Sequence, residues 1–166
     1  TRPYIAGYDE LYVTFEDPAV LAKINEALAQ SFLGFVTVEQ GPKHCIIKNI
    51  AEEYEEDLDR FINKIYMSVI TFAKESFEII KAGEYQKLDG LSAVFEITVR
   101  FGYLCLRVLN KRGYTDKQSI SSYYSITSTY SIIRSLAHMN FELKSICMEL
   151  ACVKENIRLK PETLKI

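Results

Sequence analysis

The sequence carries no glycine-rich phosphate loop, no HExxH pair and no nucleophile elbow. Their absence removes the usual signatures of nucleotide hydrolysis, zinc peptidase and α/β-hydrolase chemistry. Histidine is nearly missing: His44 and His138 lie far apart, with no carboxylate partner evident from spacing. Enzymatic proton transfer or nucleophilic attack needs a base, a nucleophile and an orienting group together. The residues announce no such set, so a non-enzymatic protein without a cofactor is expected. Charge of one sign is not in excess either, with 20 basic and 22 acidic residues and a net charge of −2. That balance gives no electrostatic case for nucleic acid or an anionic membrane. The four cysteines, Cys45, Cys105, Cys147 and Cys152, form no CxxC and no metal-ligand spacing. They are expected to be reduced, mostly buried thiols of a cytoplasmic protein. The first residues lack a signal-peptide pattern. The longest uncharged run, Gln118–Ile133, is full of Ser and Thr, so no membrane insertion is expected.

What is present is helical periodicity centred on Glu96–Tyr114. Leu91, Val94, Thr98, Phe101, Cys105 and Val108 recur at steps of three and four, which aligns them on one helix face. Phe95, Gly102, Leu106 and Leu109 widen the stripe, implying two packing partners rather than one. Lys111 and Arg112 suit the negative end of a helix. Gly113 is expected to close the helix in the left-handed conformation, and Thr115-Asp116-Lys117-Gln118 reads as a capping box for the next one. The result would be an antiparallel helical hairpin.

Residues 1–50 read differently. Asp9–Phe15 is a strand by composition. Asp17-Pro18 opens a helix reaching about Gln30, with Asp17 as cap and Pro18 at its first position. Phe35–Glu39 and His44–Ile50 are two more strands, hairpinned through Gln40-Gly41-Pro42. Beyond Asn49, an acidic run (Glu52, Glu53, Glu55, Glu56, Asp57) precedes a long apolar stripe from Leu58 to Ile80, ended by Gly83. Acids there compensate the positive end of a helix. A third helix spans about Asp116 to Glu155, with Ile133, Leu136, Asn140, Leu143, Cys147 and Leu150 forming a coiled-coil seam in which Asn140 fixes register. The Tyr rings at its start are expected to pack on the small unit. The fold class expected is therefore α+β: a small strand-helix-strand-strand unit over residues 1–50, an antiparallel three-helix bundle over 51–155, and a loosely held tail over 156–166.

Arg100–Tyr114 (RFGYLCLRVLNKRGY) and Arg134–Cys147 (RSLAHMNFELKSIC) resemble the second and third helices of archaeal PhoU-like phosphate-uptake regulators. Tyr4–Asp9 (YIAGYD), the small sheet and Glu52–Arg60 (EEYEEDLDR) resemble the parts that precede the bundle in that family, so the likeness runs from about Tyr4 to Cys147. It implies a PhoU-like bundle that regulates phosphate uptake and signalling by docking a helical surface onto a protein partner, such as a transport ATPase or a kinase. Some archaeal members carry an AbrB-like DNA-binding hairpin ahead of the sheet. This chain has no such segment, so no direct nucleic-acid contact by these residues is expected. A dimerisation or effector module of a longer AbrB–PhoU-type transcription regulator is the alternative reading.

The family's metal motifs are carboxylates four residues apart, which share one helix face and can hold a hard cation. Here they are degraded. Glu96 is followed by Arg100, which is expected to pair with it, and Ala137 and Phe141 replace the acidic pair beside Glu142. No metal is therefore expected. A metal-dependent hydrolase built on Glu52, Glu96 and Glu142 is the remaining, third reading. Bacterial PhoU proteins have two bundles, so a homodimer of this one-bundle chain would restore six helices. Its expected interface residues are Phe95, Leu106, Leu109, Tyr123, Tyr124 and Tyr130, which are too apolar to stay wet. The small sheet covering that surface within one chain is the competing arrangement.

Overall fold

The computed structural model describes residues 1–51, 58–115 and 120–152. In chain order it has α1 (Arg2–Ile5), β1 (Glu10–Thr14), α2 (Val20–Ser31), β2 (Phe35–Gln40), β3 (His44–Asn49), α3 (Leu58–Ala82), a 3₁₀ segment (Tyr85–Leu91), α4 (Ser92–Thr115) and α5 (Ile120–Cys152). The architecture is mixed α+β. The three strands form an antiparallel sheet in the order β1-β3-β2.

Strand alternation sorts the sheet into two faces. Leu11 opposite Ile47 and Val13 opposite Cys45 point inward, where with Phe35 they pack against Tyr4 of α1 and Leu28 of α2. The β2–β3 pairing shifts register between Thr37 and Glu39, a bulge that leaves Val38 unpaired. The Asp17 carboxylate accepts the Ala19 N–H at 2.9 Å in the turn ahead of α2, so Asp17 is not the helix cap expected: the cap position is Ala19, which makes no side-chain cap bond. The helix proper starts later, at Val20, with Pro18 and Ala19 in the lead-in turn.

Helix α3 buries Leu58, Ile65, Val69, Phe72 and Ser76. It ends at Gly83 with φ +72°. There the Gly83 N–H bonds to Ile80 O and the Glu84 N–H to Ile79 O, both at 3.1 Å. Those two bonds are a Schellman motif satisfying the last carbonyls. Phe61 stacks on Phe101, and Phe72 meets Leu91, so α3 and α4 run antiparallel. Phe95 O accepts from Asn140, and Leu91 meets Cys147, so α4 and α5 are antiparallel too.

Helix α4 lies at the centre. Leu104 through Leu109 are six consecutive buried residues, which a helix can sustain only when covered on every side. The α3–α5 pair covers one side, and α1 and α2 cover the other.

Two helix boundaries differ from expectation. Helix α4 continues through Gly113 to Thr115. Glycine permits a left-handed exit but does not compel one, and its helical penalty of about 1 kcal/mol is offset by continued backbone bonding. Ahead of α4, Tyr85–Leu91 is a 3₁₀ segment rather than the start of the helix near Gln86. The acidic run Glu52–Asp57, the capping box beyond Thr115 and the tail lie outside the described residues.

Candidate functional site

Four polar side chains of α4 reach across to the small unit and fix it to the bundle. Arg107 is only 4 % exposed. Its guanidinium donates to Tyr4 O at 2.9 Å and Tyr8 O at 2.8 Å, and pairs with the Asp9 carboxylate. It lies over the rings of Tyr4 and Phe35. Asn110 donates to Ile5 O at 2.8 Å, and Lys111 reaches Asp9 at 3.2 Å. Arg100 donates to Gln30 O at 2.6 Å and to Ala29 O, so a cation sits on the carbonyl end of α2, where the macrodipole favours it. The expected Arg100–Glu96 pairing is replaced by this one, because α2 lies within reach and offers two carbonyls left without helical partners.

The degraded acidic positions do not converge. Glu96 is exposed on α4 and Ala137 is half-buried on α5. Phe141 is exposed, and Glu142 lies 3.7 Å from His138. Glu52 lies outside the described residues. Among the described residues no group of three or more His, Cys, Asp and Glu could hold a metal ion. Both histidines have a carboxylate nearby after all, His44 with Glu39 at 3.7 Å and His138 with Glu142. The first pairing comes from strand register and the second from helical spacing of four.

The expected interface residues separate. Leu106 and Leu109 are each 3 % exposed and belong to the bundle core. They are covered within the chain, clustered with Leu58 and Ile65 of α3 and Ile133 of α5. Phe95 is half-buried beneath the Lys144 ammonium, 4.0 Å from its ring centroid. Tyr130 packs on the bundle core rather than on a separate small-unit surface, and Tyr124 is exposed. The Tyr123 side chain lies outside the described residues.

An uncovered apolar surface does occur on the outer face of the sheet, which sequence patterning alone did not single out. Tyr12 stands opposite Ile46 and is 64 % exposed. It stacks on His44 at 5.4 Å between centroids. Val36 and the bulged Val38 are exposed beside them, and alternation carried past the strands adds exposed Tyr8 and Ile50. Charged pairs border the face: Lys48–Glu10 at 3.0 Å and His44–Glu39 at 3.7 Å. Such a face offers flat aromatic and aliphatic contact area with a polar rim, the composition of a protein-binding patch. The available signal was Tyr12 and Ile46 at water-facing strand positions, legible only once register was known. Among the described residues no helix is long and apolar enough to cross a membrane.

Comparison of the chain with protein-family models, characterised proteins and solved structures gives no match.

Proposed function

We propose that the chain is a non-enzymatic, cytoplasmic regulatory or adaptor domain of the PhoU-like kind, docking onto a protein of phosphate transport or phosphate signalling. The resemblance of Arg100–Tyr114 and Arg134–Cys147 to that family supplies the link to phosphate. The outer sheet face is the observation that carries the docking mode. A sheet surface facing water normally turns polar residues outward, yet here Tyr12, Val36 and Val38 are exposed. Anchors of this kind inside a charged rim are what protein partners bind. Behind the face, Arg107 and Asn110 hold the N-terminal segment on α4, so the surface is presented on a fixed platform.

The experiment is phosphate uptake by cells of the native host lacking the gene. Uptake should change relative to the parent strain and return when the wild-type gene is restored. Uptake indistinguishable from the parent at both scarce and abundant phosphate would overturn the proposal.

A further inference from the structure

A second uncovered face lies on the opposite side of α4 from the small unit, between α3 and α5. On α5, Ile132, Leu136, Met139, Leu143, Ile146 and Leu150 follow steps of 4, 3, 4, 3 and 4, the a/d pattern of a coiled coil. Leu136, Leu143 and Leu150 are half-buried against the chain's own core. Ile132, Met139 and Ile146 are each more than half exposed. Tyr66, Ile70 and Phe77 continue the surface across α3, Tyr66 at 52 % exposure and the other two half-buried. This is the α5 side of α3, because Phe61 and Lys64, on the other side, engage Phe101 of α4. The seam is thus one helical step away from the one centred on Asn140, which packs inward.

We infer that this α3–α5 face is a self-association surface, occupied by a second copy of the chain. Charge arrangement selects that occupant. The ridge beside the α3 stripe carries Lys74 and Lys81, and the ridge beside the α5 stripe carries Glu142 and Glu149, all four exposed and each pair seven apart. Both α3 and α5 run antiparallel to α4, so they are parallel to each other. A twofold axis along the helices, lying in the face, therefore sets α3 of one copy against α5 of the other. The lysine ridge then meets the glutamate ridge on both edges at once, an isologous contact. Level also fits. The Cys147 thiol donates to Ser76 Oγ across 71 residues of sequence, which places Lys74 level with Ser145, between Glu142 and Glu149. Each glutamate is then about 4.5–6 Å away along the axis, within reach of a lysine side chain.

The area is sufficient. Nineteen residues of seam are about 28 Å long, and two helices about 10 Å apart present a face about 20 Å wide. Burying it on both copies removes on the order of 1,200–1,600 Å², the range of stable specific interfaces. This inference stands on the charge ridges and the seam, and it holds whether or not the outer sheet face binds a partner.

The test is sedimentation equilibrium at tens of micromolar with two charge-reversed variants. One is Lys74→Glu with Lys81→Glu, and the other is Glu142→Lys with Glu149→Lys. All four side chains are exposed, so both variants should keep wild-type circular dichroism. Wild type should sediment at twice the 19.1 kDa of one chain. Each variant alone sets like charges on both edges and should weaken association at least tenfold. Mixed one to one, the variants set opposite charges on both edges and should form a heterodimer. Met139→Glu should give a folded monomer. A monomeric wild type, whatever else covers the face, overturns the inference. So does a dimer that both variants retain, or a mixture that stays monomeric.

Discussion

Replacing Arg107 by alanine removes the group that joins the N-terminal segment to α4. The guanidinium makes two charge-assisted bonds to backbone carbonyls, at 2.9 and 2.8 Å, each contributing about 1.5–3 kcal/mol. The pair with Asp9 contributes less, at most about 1 kcal/mol, because more than half of that carboxylate side chain faces water. Opposing these is the desolvation of a buried cation, several kcal/mol, which alanine no longer incurs. Alanine leaves the Tyr4 and Tyr8 carbonyls without this donor and a void beside the Tyr4 and Phe35 rings. A net loss of about 3–4 kcal/mol follows, the usual result of removing one partner from a buried charged network. With a urea slope of about 2 kcal/mol/M, the midpoint should fall by about 1.5–2 M. Urea titration followed by circular dichroism at 222 nm measures it. Arg107→Lys keeps the charge but loses the planar fork, and should fall between the two. A midpoint shift under about 0.3 M for alanine, or lysine indistinguishable from arginine, would refute the reasoning.

Gly83→Ala should destabilise by about 1 kcal/mol. Its φ is +72° and an added Cβ meets nothing within 4 Å, so the penalty is backbone strain alone, and thermal melts will read it. Cysteine labelling of the native protein at pH 8 should modify Cys152 quickly and leave buried Cys45, Cys105 and Cys147 until unfolding; a fast-reacting second thiol would contradict the packing. Burial pushes the Cys105 thiol up to about 12 from the ordinary 9.0. The folded state therefore keeps a proton that the unfolded chain releases. The associated stability is complete below pH 9 and declines as pH rises toward 12, by up to about 1.4 kcal/mol per pH unit. Cys105→Val should flatten that part of the pH–stability curve. Amide exchange should find Leu104–Leu109 among the slowest sites, with β3 amides opening at a similar free energy. Much weaker protection in β3 would mean that the small unit opens by itself.

Strands β1 to β3 and helix α2 were legible because short alternating runs were punctuated by Asp17-Pro18 and Gly41-Pro42, local signals that tertiary context did not override. Gly83 was legible for the same reason, whereas Gly113 was not, because a glycine near a helix end marks a permitted exit only. The breadth of the α4 stripe implied more than one packing partner, but it gave two where four helices, α1, α2, α3 and α5, pack on α4. Which residues each partner would cover was not readable, and Leu106 and Leu109 consequently sit inside the core rather than on an open face. Arg107 went unnoticed although it interrupts an apolar run, Leu104-Cys105-Leu106 before and Val108-Leu109 after. A charge there signals a distant partner, and that partner lies 98 residues away at Asp9, a distance over which spacing says nothing. The same holds for Arg100 and the carbonyls of α2. The two uncovered faces needed register and helix direction before their exposed residues could be grouped.

Docking through the outer sheet face is the central claim, and phosphate uptake in a strain whose chromosomal gene carries Tyr12→Asp with Val38→Asp tests it most directly. Both side chains are about half exposed or more, so the variant protein should keep wild-type circular dichroism and abundance. The account predicts uptake shifted to the level of the gene deletion. Uptake equal to the parent strain's, with the deletion itself altered, would contradict it.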